Sequence, residues 1–178
     1  MKFYSKLFLV LFILFLVSCA AREKAEPVTP AMQEKEIYDT AQERIKSGNY
    51  SMAISSLEML ERRFPFGKYA EQAQAELIYA YYENGLFDAS VAAAERFISL
   101  HPRHPNTDYA YYMKGLAKFS KEKELLSSVP LLGELTYKRD LTRAKTSFEE
   151  LTEFISRFPE SNYVDDAKRR MFFLRNLI

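Results

Sequence analysis

The chain has 178 residues, with 25 Lys and Arg against 24 Asp and Glu, a single Cys and no Trp. This length allows one domain or a short array of repeats. A formal charge of +1 leaves no basic excess for general nucleic-acid binding, and one Cys excludes an internal disulfide. Two His leave little material for a zinc or redox site. Five Gly and seven Pro in a chain that is 48% hydrophobic exclude collagen-like or disordered character for most of its length.

The N-terminus has the pattern of a targeting signal. Lys2 and Lys6 precede an unbroken apolar run over residues 7–17. As a helix this run would rise about 16 Å, which is roughly half of a bilayer core. The pattern therefore predicts a signal peptide over residues 1–18 and not a transmembrane helix.

The single cysteine follows this run directly. The tetrad Leu16-Val17-Ser18-Cys19 resembles the bacterial lipobox, whose cysteine receives a diacylglyceryl group before cleavage and acylation of the new N-terminus. This resemblance implies lipid attachment at Cys19, and the acyl chains would hold the mature protein on a membrane. Ala20, in place of Asp, resembles the sorting pattern of lipoproteins sent to the outer membrane. The alternative is an ordinary cleaved signal with a chance Cys.

Residues 19–33 are rich in charge and proline, and we predict that they form the lipidated cysteine and a flexible tether. Beyond them, self-comparison of the chain reveals an internal repeat. A pattern of turn glycine, aromatic, small residue, two apolar residues and stop proline recurs 37 positions later, and its second half occurs a third time. The three copies are Gly48, Tyr50, Ala53, Leu57, Leu60 and Pro65; Gly85, Phe87, Ser90, Ala94, Phe97 and Pro102; and Ser147, Leu151, Phe154 and Pro159.

Each unit reads as a helix, a turn, a second helix and a proline stop, because proline cannot continue a helix. Units of this size and pattern resemble tetratricopeptide (TPR) repeats. The predicted fold is an all-α, TPR-like helix-turn-helix solenoid of about three and a half repeats over residues 34–178. Its repeats are 34–67, 68–104, 105–160 with an insertion loop at 123–139, and a partial repeat at 161–178. Helices are expected near 34–46, 50–63, 69–83, 87–100, 106–122, 140–157 and 162–177.

The last predicted helix has an apolar stripe with no following helix to cover it. The stripe consists of Val164, Ala167, Met171, Leu174 and Ile178. A terminal capping helix is one interpretation, since solenoids need capped ends. The ending on Leu177-Ile178 favours the other, a chain that stops before its C-terminal repeats, and this is our expectation.

No catalytic constellation is visible in the sequence, and we predict neither an enzyme nor a cofactor or metal site. His101 and His104 are each followed by Pro, and no Cys, Asp or Glu is expected close to them, so they are interpreted as part of a solvated loop. The acidic pairs Glu149-Glu150 and Asp165-Asp166 are interpreted as solvated helix faces, because adjacent helical positions do not face each other.

Aromatic residues are concentrated in the first two repeats and the start of the third. First helices of TPR units line the concave surface, where a flat ring with a polar tip can bind an extended peptide. Adjacent tyrosines lie about 100° apart on a helix, so Tyr81-Tyr82 and Tyr111-Tyr112 are each expected to differ in burial. The candidate peptide-binding residues are Phe64, Phe66, Tyr69, Tyr79, Tyr81, Tyr82, Tyr109 and Tyr112.

Four motifs in fixed order carry a more specific resemblance. They are EIYDTAQ at 36–42, RFPFGKY at 63–69, LIYAYY at 77–82 and RFISLHPRHPNTDY at 96–109. Together they resemble the BamD or ComL-like family of lipoproteins of the outer-membrane β-barrel assembly (BAM) machinery, over about residues 13–178. The family usually has about five TPR units, and here three and a half are present.

This resemblance implies a lipid anchor at Cys19 on the periplasmic face of the outer membrane. It also implies partners, namely BamA, other BAM lipoproteins and unfolded β-barrel precursors recognised through an aromatic-ended C-terminal strand. In the family, the N-terminal units are linked to precursor binding. A competing interpretation is a periplasmic TPR adaptor that coordinates cell-envelope or cell-wall assembly. A third, an enzyme accessory to peptidoglycan hydrolysis, lacks an acid/base constellation.

Overall fold

The computed structural model describes residues 29–127 and 141–178, with side chains left out at 124–127. These residues form seven α-helices and no strand, which confirms the all-α prediction. The helices are α1 (Pro30–Lys46), α2 (Tyr50–Arg63), α3 (Ala70–Glu83), α4 (Phe87–Leu100), α5 (Thr107–Ser127), α6 (Thr142–Arg157) and α7 (Val164–Arg175). The predicted signal peptide and Cys19 lie outside the described residues.

Helix α1 begins earlier than predicted, so residues 30–33 are helical and not part of a tether. Thr29 caps the helix, because its Oγ1 accepts a hydrogen bond from the backbone N–H of Met32 at 3.3 Å. Pro30 occupies the first turn, where its missing N–H costs no helical hydrogen bond. This cap places Gln33 and Glu34 inside the helix.

Helix α5 also exceeds its predicted end at 122 and continues to Ser127. Residues 123–127 were expected at the start of the insertion loop. They are helical because Lys, Glu and Leu are strong helix formers and nothing in this stretch breaks the pattern. The remainder of the predicted loop lies outside the described residues.

Both turn glycines have the backbone conformation that selects glycine. Gly48 and Gly85 each have φ of 73°, which lies in the left-handed region. The residue after each glycine donates a backbone hydrogen bond to the last turn of the preceding helix, Asn49 to the Arg44 carbonyl at 2.8 Å and Leu86 to the Tyr81 carbonyl at 2.9 Å. The same turn therefore closes the first two helix pairs.

The stop prolines act through the residue that precedes each of them. Phe64, His101 and Phe158 end their helices with nearly identical φ values of −134°, −128° and −131°. Steric conflict with the following proline ring disfavours the helical region there. Each repeat therefore ends its second helix in the same way.

Successive helices pack against each other along the chain, and α5 also contacts α3 and α7. The repeated small and apolar positions form the core of this solenoid. All of them are at most 1% exposed: Ala53, Leu57 and Leu60; Ser90, Ala94 and Phe97; and Ser147, Leu151 and Phe154. Close approach of α5 and α6 also depends on Gly115, where a Cβ atom would lie 2.6 Å from Leu151 Cδ2.

The expectation of unequal burial is wrong for Tyr111 and Tyr112, which are 8% and 7% exposed. Helix α5 contacts α3, α4, α6 and α7, so neighbouring positions on different sides of it are both covered. Tyr81 and Tyr82 are likewise both half-buried. The 100° argument holds for a helix packed on one side only.

Most of the predicted stripe on α7 is covered, contrary to expectation. Val164, Ala167 and Leu174 are buried in a cluster with residues of α5 and α6, because the stripe turns back toward the preceding helices. Ile178, the last residue of the stripe, is 49% exposed, and Phe172 beside the stripe is 59% exposed. Across residues 29–127 and 141–178, no helix combines the length and apolarity required to cross a membrane.

Candidate functional site

The first helices of the repeats share one face, and this face carries an open cavity of about 510 Å³. Tyr79 from α3, Tyr109 from α5 and Tyr163 at the start of α7 line it. These positions come together because the first helices of successive repeats lie side by side. We call this space the tyrosine cavity.

The rings around the tyrosine cavity are held by other rings. Tyr109 and Tyr163 have centroids 5.8 Å apart, and Tyr163 also stacks on Tyr112 at 4.7 Å with an interplanar angle of 12°. Tyr79 meets Tyr50 edge-on at 5.9 Å. Such contacts stabilise aromatic pairs beyond simple area burial, so the cavity wall is preorganised.

Two phenols of this cavity, those of Tyr79 and Tyr109, remain protonated at neutral pH. A hydrogen bond with Tyr50, burial and the nearby Glu83 carboxylate raise the pKa of Tyr79 to about 12. Burial is the main cause that raises the pKa of Tyr109, with smaller contributions from Tyr163, Tyr79, Glu76 and Glu83. A protonated phenol can donate a hydrogen bond to a backbone carbonyl of an extended peptide.

Among the described residues that line the cavity, two carry carboxylates, and the first is Glu76. It accepts hydrogen bonds from the Tyr38 hydroxyl at 2.8 Å, from Gln72 Nε2 at 2.8 Å and from Gln42 Nε2. All three donors are uncharged. These hydrogen bonds hold the Glu76 carboxylate in place, but no cationic partner in the described part of the chain neutralises its charge.

The other carboxylate belongs to Asp108, near the start of α5. Its Oδ1 accepts from the Tyr109 backbone N–H at 2.7 Å, and its Oδ2 accepts from Ser161 Oγ at 2.7 Å. Among the described residues neither Asp108 nor Glu76 forms an ion pair, and none of those that line the cavity is Lys, Arg or His. The cavity thus combines aromatic walls with negative charge.

A second aromatic feature is the turn between α2 and α3, residues 64–69, which we call the aromatic turn. Phe66 is 99% exposed at its tip, whereas Phe64 is half-buried under the Arg63 guanidinium, 5.7 Å from its ring centroid. Tyr69 stacks on Tyr38 of α1, with centroids 4.6 Å apart. The turn therefore holds one ring in solvent, that of Phe66, while the ring of Tyr69 is packed on α1.

Glu34 of α1 holds the aromatic turn in place. Its carboxylate is buried and accepts a hydrogen bond from the Tyr69 backbone N–H at 2.7 Å, which satisfies a free donor at the start of α3. Gly67 lies so close that a Cβ atom there would be 2.2 Å from Glu34 Oε1. The path of the turn therefore depends on a glycine beside a carboxylate.

Tyr81 and Tyr82 lie elsewhere. The Tyr81 hydroxyl donates to Glu58 Oε1 at 2.7 Å, and its ring lines a separate cavity of about 240 Å³ together with Glu61 and Arg96. The Tyr82 hydroxyl and Ser120 Oγ are 2.9 Å apart. Tyr81 thus connects α3 to α2, and Tyr82 connects α3 to α5. Neither residue lines the tyrosine cavity.

Tyr112 is a core residue that supports the cavity from behind. Its hydroxyl donates to Asp166 Oδ2 at 2.6 Å. Burial alone would raise the pKa of Asp166, but hydrogen bonds from Arg170 and Tyr112 outweigh it and hold that pKa below its ordinary value. Of the eight candidate residues, Tyr79 and Tyr109 line the tyrosine cavity, and Phe64, Phe66 and Tyr69 belong to the aromatic turn.

Sequence reasoning missed Tyr163, Glu76 and Asp108 as cavity residues. Tyr163 had a usable signal, since it follows Pro159 by four positions as Tyr109 follows Pro105. Glu76 and Asp108 had no such sequence signal, because an acidic residue on a helix ordinarily faces solvent. Only the packing of α1, α3, α5 and α7 shows that they face a common space.

The interpretation of His101 and His104 as a solvated loop without acidic neighbours is wrong. Both side chains are about one-fifth exposed, and Glu71 lies 3.6 Å from His101 Nδ1 and 3.7 Å from His104 Nε2. His101 Nε2 is also 2.8 Å from Gln74 Oε1. Within the part of the chain that the structure describes, no group of three or more His, Cys, Asp or Glu residues is arranged to hold a metal ion.

Comparison with known proteins gives a consistent result. The model of the family described as YfiO, outer membrane lipoprotein, matches residues 30–178. The outer membrane protein assembly factor BamD of Vibrio cholerae is 36% identical over 173 residues, which cover 97% of this chain and 70% of that protein. Proteins of the same name are 37% identical over 161 residues in Neisseria gonorrhoeae and 33% identical over 178 residues in Xylella fastidiosa strain Temecula1.

The Neisseria and Xylella matches cover 89% and 98% of this chain, but 60% of each relative. The chain therefore spans 60–70% of the length of these curated relatives. The matched part includes the tyrosine cavity and the aromatic turn, since both lie within residues 30–178.

Proposed function

The chain belongs to the YfiO family of outer membrane lipoproteins, and we propose that it is a non-enzymatic component of the outer-membrane β-barrel assembly machinery. Relatives named outer membrane protein assembly factor BamD, with 33–37% identity, support this role. In this proposal Cys19 carries the lipid that anchors the protein to the periplasmic face of the outer membrane. BamA and the other lipoproteins of the machinery are its protein partners.

We further propose that the solenoid binds unfolded β-barrel precursors. The observation that carries this step is the tyrosine cavity, a concave space on the first-helix face with three phenols in its lining. Concave helical-repeat surfaces bind extended peptides, and tyrosine combines a large contact area with a hydrogen-bonding tip. The exposed Phe66 adds an apolar contact for an aromatic side chain of the client.

Affinity for such a client is expected to be modest. An unfolded segment loses conformational freedom when it binds, and this loss offsets part of the contact energy. Weak binding suits an assembly factor, because the client must be released toward the membrane. A periplasmic adaptor of cell-wall assembly would have no such need for barrel precursors.

Partner binding is tested by affinity capture from detergent-solubilised envelopes of the source bacterium, with the lipidated mature chain, residues 19–178, as bait. The Vibrio cholerae relative serves as a positive control in its own envelope. Recovery of the barrel protein BamA supports the proposal. Recovery of cell-wall synthesis proteins without BamA would contradict it and favour the adaptor.

Client binding is tested by titration of the chain into a short unstructured peptide that ends in Phe and carries a fluorescent label. The fluorescence of the label reports the bound fraction of the peptide. Phe66→Ala should weaken binding by about 3- to 10-fold, because one aromatic contact is lost. Phe172→Ala, which removes an exposed Phe on α7, is the matched control and should leave affinity unchanged. Equal affinities of wild type and Phe66→Ala would remove the aromatic turn from the proposed site.

A further inference from the structure

The charge of the tyrosine cavity restricts what it can bind. Glu76 and Asp108 line it, and the Glu83 carboxylate acts on both Tyr79 and Tyr109. Among the described lining residues no cationic side chain balances them. Like charges brought together in a partly desolvated space repel, so a carboxylate-bearing ligand group is disfavoured there.

Both lining carboxylates retain hydrogen-bonding capacity toward a ligand. An ionised carboxylate accepts about four hydrogen bonds. Glu76 accepts bonds from three side chains, and Asp108 accepts one from Tyr109 N and one from Ser161. The unused lone pairs can accept from an incoming ammonium or guanidinium group, and such charge-assisted bonds are stronger than neutral ones.

The aromatic walls fit the same kind of side chain. Lysine and arginine lay their apolar stems on ring faces and are attracted electrostatically by the ring. Tyr109 and Tyr163 meet at a tilt of 54° and a separation of 5.8 Å, which presents ring surface to the cavity from two directions. Apolar stem and cationic head are thus both accommodated.

On these grounds we propose that the tyrosine cavity binds a lysine or arginine side chain from within an extended client segment, and that it excludes the client's free C-terminal carboxylate. This inference rests on the proposed client binding and adds the side-chain class that the cavity selects. The aromatic end of the client is then left for the aromatic turn, where Phe66 is exposed. Recognition is divided between two places, the tyrosine cavity on the first-helix face and the aromatic turn between α2 and α3.

The test uses four versions of one short unstructured peptide that ends in Phe. The first has a central Lys and a free carboxylate, the second replaces that Lys by Gln, the third is amidated at its C-terminus, and the fourth replaces the final Phe by Ala. Wild type, Glu76→Gln, Asp108→Asn and the charge-matched surface control Glu95→Gln are titrated with each. Circular dichroism confirms that every variant is folded.

On wild type and on Glu95→Gln, the Lys-to-Gln peptide should bind about 3- to 10-fold more weakly than the first peptide. On Glu76→Gln or Asp108→Asn this difference should shrink, because one of the two carboxylates that attract the cation is gone. Amidation should leave affinity unchanged or increase it. Each of these results supports the inference.

Three outcomes separate the possible failures. If the peptides bind and lose affinity with the Phe-to-Ala change, but Lys and Gln are equivalent on wild type, the cavity inference is overturned and client binding stands. A loss of affinity on amidation overturns the inference in the same way, since it reveals a carboxylate site. If no version binds wild type, client binding fails and the inference fails with it.

Discussion

Glu34 lies in α1 but determines the start of α3. The residue is 6% exposed, and its carboxylate accepts a hydrogen bond from the Tyr69 N–H, a donor for which the start of the helix has no internal partner. The sequence alone does not indicate this role, because Glu34 is one of several charged residues in a polar stretch. Its role follows from Gly67, whose missing side chain lets the carboxylate approach the turn.

Gly67→Ala tests this arrangement. The new Cβ would lie 2.2 Å from Glu34 Oε1, so the carboxylate must move and the Tyr69 N–H loses its partner. We expect the free energy of unfolding to fall by about 1–3 kcal/mol, measured by chemical denaturation. In the Glu34→Ala background the same change should cost much less, because no carboxylate remains to be displaced. Equal costs in both backgrounds would show that Glu34 is not the cause.

Ser90 occupies the small-residue position of the second repeat, at an interface with α3. Its Oγ donates to the Ile78 carbonyl at 2.8 Å, and the side chain is fully buried. Ala53 fills the equivalent position of the first repeat without any hydroxyl. The comparison indicates that size, more than hydrogen bonding, is what this position requires.

Ser90→Ala should therefore lower the free energy of unfolding by only about 0.5–1.5 kcal/mol, the net value of one hydrogen bond. Ser90→Leu should cost more, at least about 1–3 kcal/mol, because a larger side chain must separate α3 and α4. Thermal or denaturant unfolding of both variants measures the difference. A larger loss for Ala than for Leu would mean that the hydroxyl dominates.

At the scale of the helical element, α5 and α6 are joined by an ionic contact. Lys114 and Lys118, one turn apart on α5, both contact the Glu150 carboxylate of α6. Burial alone would raise the pKa of Glu150, but the hydrogen bonds from the two lysines outweigh it and lower that pKa below the ordinary 4.5. The neighbouring Glu149 is exposed.

This contact makes stability depend on acid pH. Because the folded-state pKa of Glu150 is depressed, its contribution is present above about 4.5 and is lost as the pH falls through the folded value. Glu150→Gln should lower the free energy of unfolding at pH 7, and the gap to wild type should narrow below pH 4.5. Denaturant unfolding at a series of pH values measures the gap. Glu149→Gln should show no such dependence, and a constant gap for Glu150→Gln would contradict the mechanism.

At the scale of the whole molecule, the core formed by the described residues is divided into two clusters that meet at α3. One includes Leu57 and Leu60 with Leu77, and the other includes Phe97, Leu151 and Phe154 with Ile78. Residues 77 and 78 are adjacent in sequence but belong to different clusters. In repeat architectures each unit contacts its neighbours only, so stability need not be uniform along the chain.

Truncation of each cluster should reveal this division. Leu57→Ala should cost about 2–5 kcal/mol, and hydrogen exchange should accelerate mainly in α1 to α3. Phe154→Ala should cost a similar amount but accelerate exchange in α5 to α7. Mass-spectrometric hydrogen exchange of the two variants distinguishes these patterns. Uniform acceleration in both would show that the solenoid unfolds as one cooperative unit.

The helices, their turns and their stops could be predicted because each depends on local physics. Glycine is favoured where φ is positive, as at Gly48, and a residue before proline leaves the helical region, as at Phe64. The buried positions could be predicted from the repeat, because residues at a fixed helical spacing lie on one face of the helix. The sequence does not predict that α1 begins at Pro30. The capping residue Thr29 lies in a stretch rich in charge and proline, a composition that favours a flexible tether.

The candidate site was predictable only in part. Tyr79, Tyr109 and the exposed Phe66 belong to it as aromatic positions of the repeats, whereas Tyr112 is buried by α7 and Tyr81 is held by Glu58. The helical solenoid, its units and its aromatic richness follow from residue type and spacing along the chain. Which rings share a cavity, and that Glu76 and Asp108 line it with them, depends on how the folded helices pack. Those relations join helices that are distant in the chain, and no local preference encodes them.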